Sequence, residues 1–143
     1  MRKSTKIATI GVLAAALMLP AANAVAGTSY AGFTTTLPAL QQGVLAANQI
    51  KSNAAAAGDI RSISVGSDYN LNARQCRLDR AAGPGSTPAQ VTCGTERFNL
   101  GDGASATLPS GSHVAAGNRA YLQLHNSTWA VVRVSASGSW RSN

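Results

Sequence analysis

Charge is scarce in this sequence, and acid above all: 12% of the 143 residues are charged, with five acidic side chains against twelve basic ones. Aromatic residues make up 5%, and there are only two cysteines. Each shortage closes a class of protein. Two thiols are too few for a cysteine-dense scaffold or a finger-type zinc protein, and the length is too small for a multidomain enzyme. Five well-spread acids supply no carboxylate pair that local spacing brings together for acid–base work.

Catalytic motifs are missing as well. The nearest approach to a G-x-S-x-G nucleophile elbow, at 27–31, ends in Ala31 instead of glycine. No glycine-rich phosphate loop with its lysine occurs, and the two imidazoles, His113 and His125, are not at i, i+4. A metal site would have to gather them with Asp68, Asp79 or Asp102, which nothing local does. The expectation is a non-enzymatic chain with no catalytic residue, no cofactor and no metal.

What is present begins with an export signal. Arg2, Lys3 and Lys6 precede an apolar run at 7–19, which Pro20 breaks ahead of small residues, the layout of a secretory signal peptide. That run is shorter than the roughly 20 residues needed to cross a bilayer, so no membrane span is expected. Cleavage is expected after Ala24 or Ala26, the second being favoured. Removing 26 of the 143 residues leaves 117, and three of the twelve basic groups go with them, so a net charge of +7 becomes +4. The remainder holds eight arginines and one lysine and is rich in Ala and Gly, the composition of a GC-rich bacterial source such as an actinobacterium. The expected location is secreted, extracellular.

Outside the cell an even pair of cysteines forms a disulfide, here Cys76 with Cys93. The residues between them include Gly83-Pro84-Gly85-Ser86-Thr87-Pro88, a flexible loop by composition. Short apolar stretches punctuated by Gly, Ser, Thr and Asn point to an all-β chain. The fold class expected is a single-domain two-sheet β-sandwich of immunoglobulin-like architecture with six to eight short strands. Residues 27–57 form an extended N-terminal segment with the first strands, and 58–143 the sandwich body of the same domain.

Strands are expected at 30–35, 97–100 and 104–108, with an Asp102-Gly103 turn. The stretch 38–57 has both helical spacing and strand character. Strand is preferred, with 45–52 as an edge guarded by Lys51. Two hairpins are read. In one, 118–125 and 128–136 meet at Asn126-Ser127, so that Leu124 faces Trp129 and Leu122 faces Val131. In the other, 59–65 turns at Gly66-Ser67 into a strand from Tyr69. Cys76, on the polar parity of that strand, is expected at its surface or its frayed end.

Arg74, Arg77 and Arg80 flank the disulfide with Asp79 the one acid among them, a candidate patch for an anion or partner. Arg80-Ala81, in the tethered loop, is also a candidate protease-inhibitor bond. Basic residues do not alternate with aromatics, so nucleic acid is not an expected partner. Asn126-Ser127-Thr128 matches a glycosylation acceptor but is read as turn chemistry.

A signal peptide, a Thr-rich first strand, a polar β domain and the ending Ser137-Gly138-Ser139-Trp140 together resemble small secreted β-sandwich proteins of Gram-positive bacteria. The resemblance implies an extracellular β protein and brings no catalytic residues. The functional expectation is a secreted binding or interaction module acting on an unknown protein or an anionic cell-envelope component, as a subunit of an extracellular antibacterial complex for example. A protease inhibitor is the first alternative and a small hydrolase the second.

Overall fold

The computed structural model describes residues 27–83, 89–110 and 113–143. The signal peptide expected at 1–26 and residues 84–88 of the inter-cysteine loop lie outside the described residues.

Alternating side chains dictate the strands. In β1 (Ala31–Leu37), Phe33 and Leu37 are buried while Gly32, Thr34 and Thr36 face outward. In β9 (Val134–Arg141), Val134, Ala136 and Trp140 are buried and serines intervene. β3 (Gly58–Val65) keeps Ile60, Ile63 and Val65 inside although their spacing is uneven. A bulge between Arg61 and Ser64, where Ser62 takes a left-handed φ of 52°, absorbs the extra residue. With β7 (Ala106–Leu108), these strands form an antiparallel sheet in the order β1-β9-β3-β7.

The second sheet is also antiparallel. β2 (Val44–Ile50), β8 (Arg119–Asn126), β4 (Leu71–Arg80) and β5 (Gln90–Cys93) lie in that order, and β6 (Arg97–Leu100) also pairs with β4. Leu71, Ala73, Leu122 and Leu124 meet Phe33, Leu37, Ile60 and Trp140 in one core. The two-sheet β-sandwich expected from the sequence is therefore observed, with nine strands among the described residues against six to eight expected. The 38–57 stretch is strand at β2, followed by turns, and the strands expected around 30–35, 97–100 and 104–108 correspond to β1, β6 and β7.

The pairing of strands differs from the expectation in both hairpins. β8 and β9 belong to different sheets, and 127–133 carries the chain from one to the other. Trp129 and Val131 accordingly do not face Leu124 and Leu122; they are 69% and 78% exposed. β3 and β4 are likewise split between the sheets, the Gly66–Asp68 turn bridging them. Sheets stack about 10 Å apart, so a connection that changes sheet cannot close a two-residue hairpin.

Two single residues are corrected too. Cys76 is buried, because its disulfide partner Cys93 lies directly opposite on β5 and the Gln123 side chain from β8 lies against the bridge. Lys51 does not guard an exposed edge; it is fully buried. Its ammonium donates to the carbonyls of Ala56 (2.6 Å), Ser142 (2.6 Å) and Asn143 (3.3 Å). Gln49 and Gln75 complete this polar end of the sandwich: Ser142 N–H donates to Gln49 Oε1, and Gln75 Nε2 donates to the Ser142 carbonyl. Burial pushes the Lys51 ammonium below its ordinary pKa of 10.5.

Candidate functional site

The outer face of the four-stranded sheet is built from the residues that alternate with the core. Register places them in transverse rows: Thr36 beside Ser135; Thr34, Ser137 and Ser64; Gly32, Ser139 and Arg61; then Arg141, Asp59 and Thr107. Three rows are thus nearly all hydroxyl or glycine, and the last is ionic. Serine and threonine side chains are short, so the face is shallow, with one depression of about 180 Å³ between Thr34, Ser64, Ser135 and Ser137.

The ionic end is organised by Tyr30. The Arg61 guanidinium lies 3.4 Å from its ring centroid and that of Arg141 4.9 Å away, within cation–π range. The two arginines then diverge in partnership. Arg141 donates to Asp59 Oδ2 through Nε (2.9 Å) and Nη2 (2.8 Å), and this carboxylate raises the pKa of the guanidinium. Thr107 Oγ1 donates to the other oxygen of Asp59 at 3.2 Å. Arg61 has no carboxylate partner among the described residues. Its guanidinium carbon lies over the Tyr30 ring and the residue is exposed, so the group is open to contact with a phosphate or carboxylate. Tyr30, Asp59, Arg61, Ser105, Thr107 and Arg141 line a concavity of about 400 Å³ there.

The arginines singled out around the disulfide are less available. Arg74 Nε donates to Gln123 Oε1 at 2.7 Å. Arg77 is paired with Asp79 at 2.7 Å, and Thr92 Oγ1 also donates to Asp79. Those two hydrogen bonds, Thr92 first, hold the Asp79 carboxyl below its usual range. Arg80 is exposed but sits in a paired strand opposite Gln90, so the Arg80-Ala81 bond follows directly on a strand ladder. Positions 74 and 77 have opposite parity on β4, so the three do not form one surface.

His125 engages Glu96 through Nε2, while Nδ1 faces the Asn126 carbonyl at 3.1 Å. The pair ties β8 to the segment before β6. Among the described residues, no three His, Cys, Asp or Glu side chains gather as metal ligands would.

Sequence reasoning missed Tyr30, Asp59, Arg61 and Arg141. One signal was open to it: serine at 135, 137 and 139 between Ala136, Gly138 and Trp140 marks a strand with one wholly hydroxylic side. The convergence of three separate segments on Tyr30 has no such local signature. Fold and site together define a disulfide-stapled β-sandwich with a hydroxyl-rich face ending in an arginine–tyrosine shelf. Comparison with known protein families, curated proteins and solved structures finds no match for the chain.

Proposed function

We propose that this chain is a secreted, non-enzymatic binding module whose hydroxyl-rich sheet face takes an anionic polyol- or sugar-phosphate polymer of the cell envelope. The observation that supports this reading is Arg61: a guanidinium lying over the Tyr30 ring, without a carboxylate partner among the described residues, at the end of rows of hydroxyl groups. The guanidinium suits a phosphate diester, and serine and threonine both donate to and accept from polyol hydroxyls. A shallow face fits a chain laid across it better than a small molecule enclosed by it. The charge left after signal removal is modest, so recognition rests on a placed cation more than on a strong overall field.

The test is sedimentation of the protein with wall fragments carrying poly(glycerol phosphate) and with the same fragments after the polymer is stripped. Binding is expected to the first alone, to weaken with salt, and to fall about tenfold in Arg61→Gln, the loss of one charge-assisted contact worth about 1.4 kcal/mol. Equal binding to stripped fragments, or an Arg61→Gln variant with unchanged affinity, would refute the reading.

A further inference from the structure

Sheet edges carry unpaired backbone N–H and C=O groups, and proteins blunt them with short strands, bulges, charge or proline. Three of the edges here are blunted. β7 has three residues. β5 and β6 share one side of β4 and have four residues each, both with register breaks. β2 is interrupted by a bulge between Leu45 and Ala47. β1 has none of these devices. Its seven residues, Ala-Gly-Phe-Thr-Thr-Thr-Leu, are uncharged and free of proline, and their register with β9 is unbroken from Ala31↔Trp140 to Leu37↔Val134. Among the described strands, β1 pairs with β9 alone.

We infer that the free edge of β1 pairs with β1 of a second copy of this chain, antiparallel about a two-fold axis at Thr34. Such a contact must be self-complementary, and this strand is. With Thr34 opposite itself, Phe33 stands opposite Thr35, Gly32 opposite Thr36, and Ala31 opposite Leu37. Every inward residue meets an inward one and every outward residue an outward one, so the core and the hydroxyl face both continue across the junction. No charge on the strand opposes its own copy. Outward threonines pair across strands, a favourable arrangement.

The two-fold axis stands perpendicular to the sheet, so both hydroxyl faces point the same way on one continuous eight-stranded surface made from two four-stranded sheets. The dimer rests on the β1 edge alone and not on the ligand reading above.

Sedimentation equilibrium of the secreted protein tests it. Wild type is expected at twice the mass of one chain. Thr34→Lys and Thr34→Asp each place like charges opposite one another and are expected to be monomeric. Thr34 is exposed in the single chain, so both variants should keep the wild-type circular dichroism and melting transition. Mixed in equal amounts, they should recover the dimer mass, because the ammonium introduced in one copy then faces the carboxylate introduced in the other. A wild type that stays monomeric over the whole accessible concentration range overturns the inference, as does a dimer indifferent to Thr34→Lys.

Discussion

Lys51→Ala is expected to destabilise the protein by about 4 kcal/mol, a large share of the 5–15 kcal/mol typical of a domain. The side chain is fully buried, so truncation leaves a cavity where its methylenes packed. It also removes three hydrogen bonds to the carbonyls of Ala56, Ser142 and Asn143. Lys51→Met separates the two effects: it refills the space and is expected to cost only about 1–2 kcal/mol, because each carbonyl keeps another donor. Those donors are Ser110 Oγ for Ala56, Gln75 Nε2 for Ser142, and the Ser52 and Asn53 amides for Asn143. Urea melts of the three proteins give the numbers.

The same residue sets a pH dependence. Burial lowers the Lys51 pKa in the folded chain relative to 10.5, so between the lowered value and 10.5 the unfolded chain binds more protons than the folded one. The sign follows: the penalty for a buried charge is present below the folded pKa and is relieved as pH rises towards 10.5. Stability of wild type relative to Lys51→Met should therefore increase with pH across that window. A wild-type-minus-variant difference that is flat or falling there would show that the ammonium is not desolvated.

Replacing both Cys76 and Cys93 by alanine is expected to cost about 3 kcal/mol, the chain-entropy value for a cross-link of this span, which is 17 residues here. For a domain of this size that lowers the melting temperature by about 10–15 °C. The disulfide also registers β4 against β5, Cys76 lying opposite Cys93. Gly94, the next residue, approaches the Pro109 carbonyl so closely that a Cβ there would collide with it. Reduction should therefore loosen the β5 edge before the core, and amide exchange at 90–94 should rise first. Unchanged melting after the double substitution would contradict this role. The intact bridge is read directly from the mass of the purified protein, two hydrogens short of the reduced form.

The β class, the disulfide and most strand positions were legible because alternation and turn residues are local properties. Which strand pairs with which was not. Asn126-Ser127 has good turn chemistry, yet Asn126 is buried and its side-chain amide donates to the Pro38 carbonyl, fastening the end of β8 to the β1–β2 connection. Alternation says that a strand has two faces and is silent on which sheet it joins. Lys51 misled for a related reason. A lone lysine near a strand end is ordinarily solvated, and of the carbonyls that receive this one only that of Ala56 is local, while those of 142–143 are remote in sequence. The shelf was hidden in the same way, since Tyr30, Arg61 and Arg141 converge only through the pairing of β3 and β1 with β9.

That central place of β9 also governs the order of events in folding. Among the described residues, β1 finds its sheet neighbour within the chain only in β9, and β3 otherwise has only the short β7, opposite Gly58–Ile60. A chain emerging N-terminus first cannot assemble the four-stranded sheet until 134–141 has followed, and such long-range closures are slow. For a polypeptide exported as proposed, the delay has a use: the four-stranded sheet stays open until β9 arrives, so one strand both completes that sheet and sets when it can form.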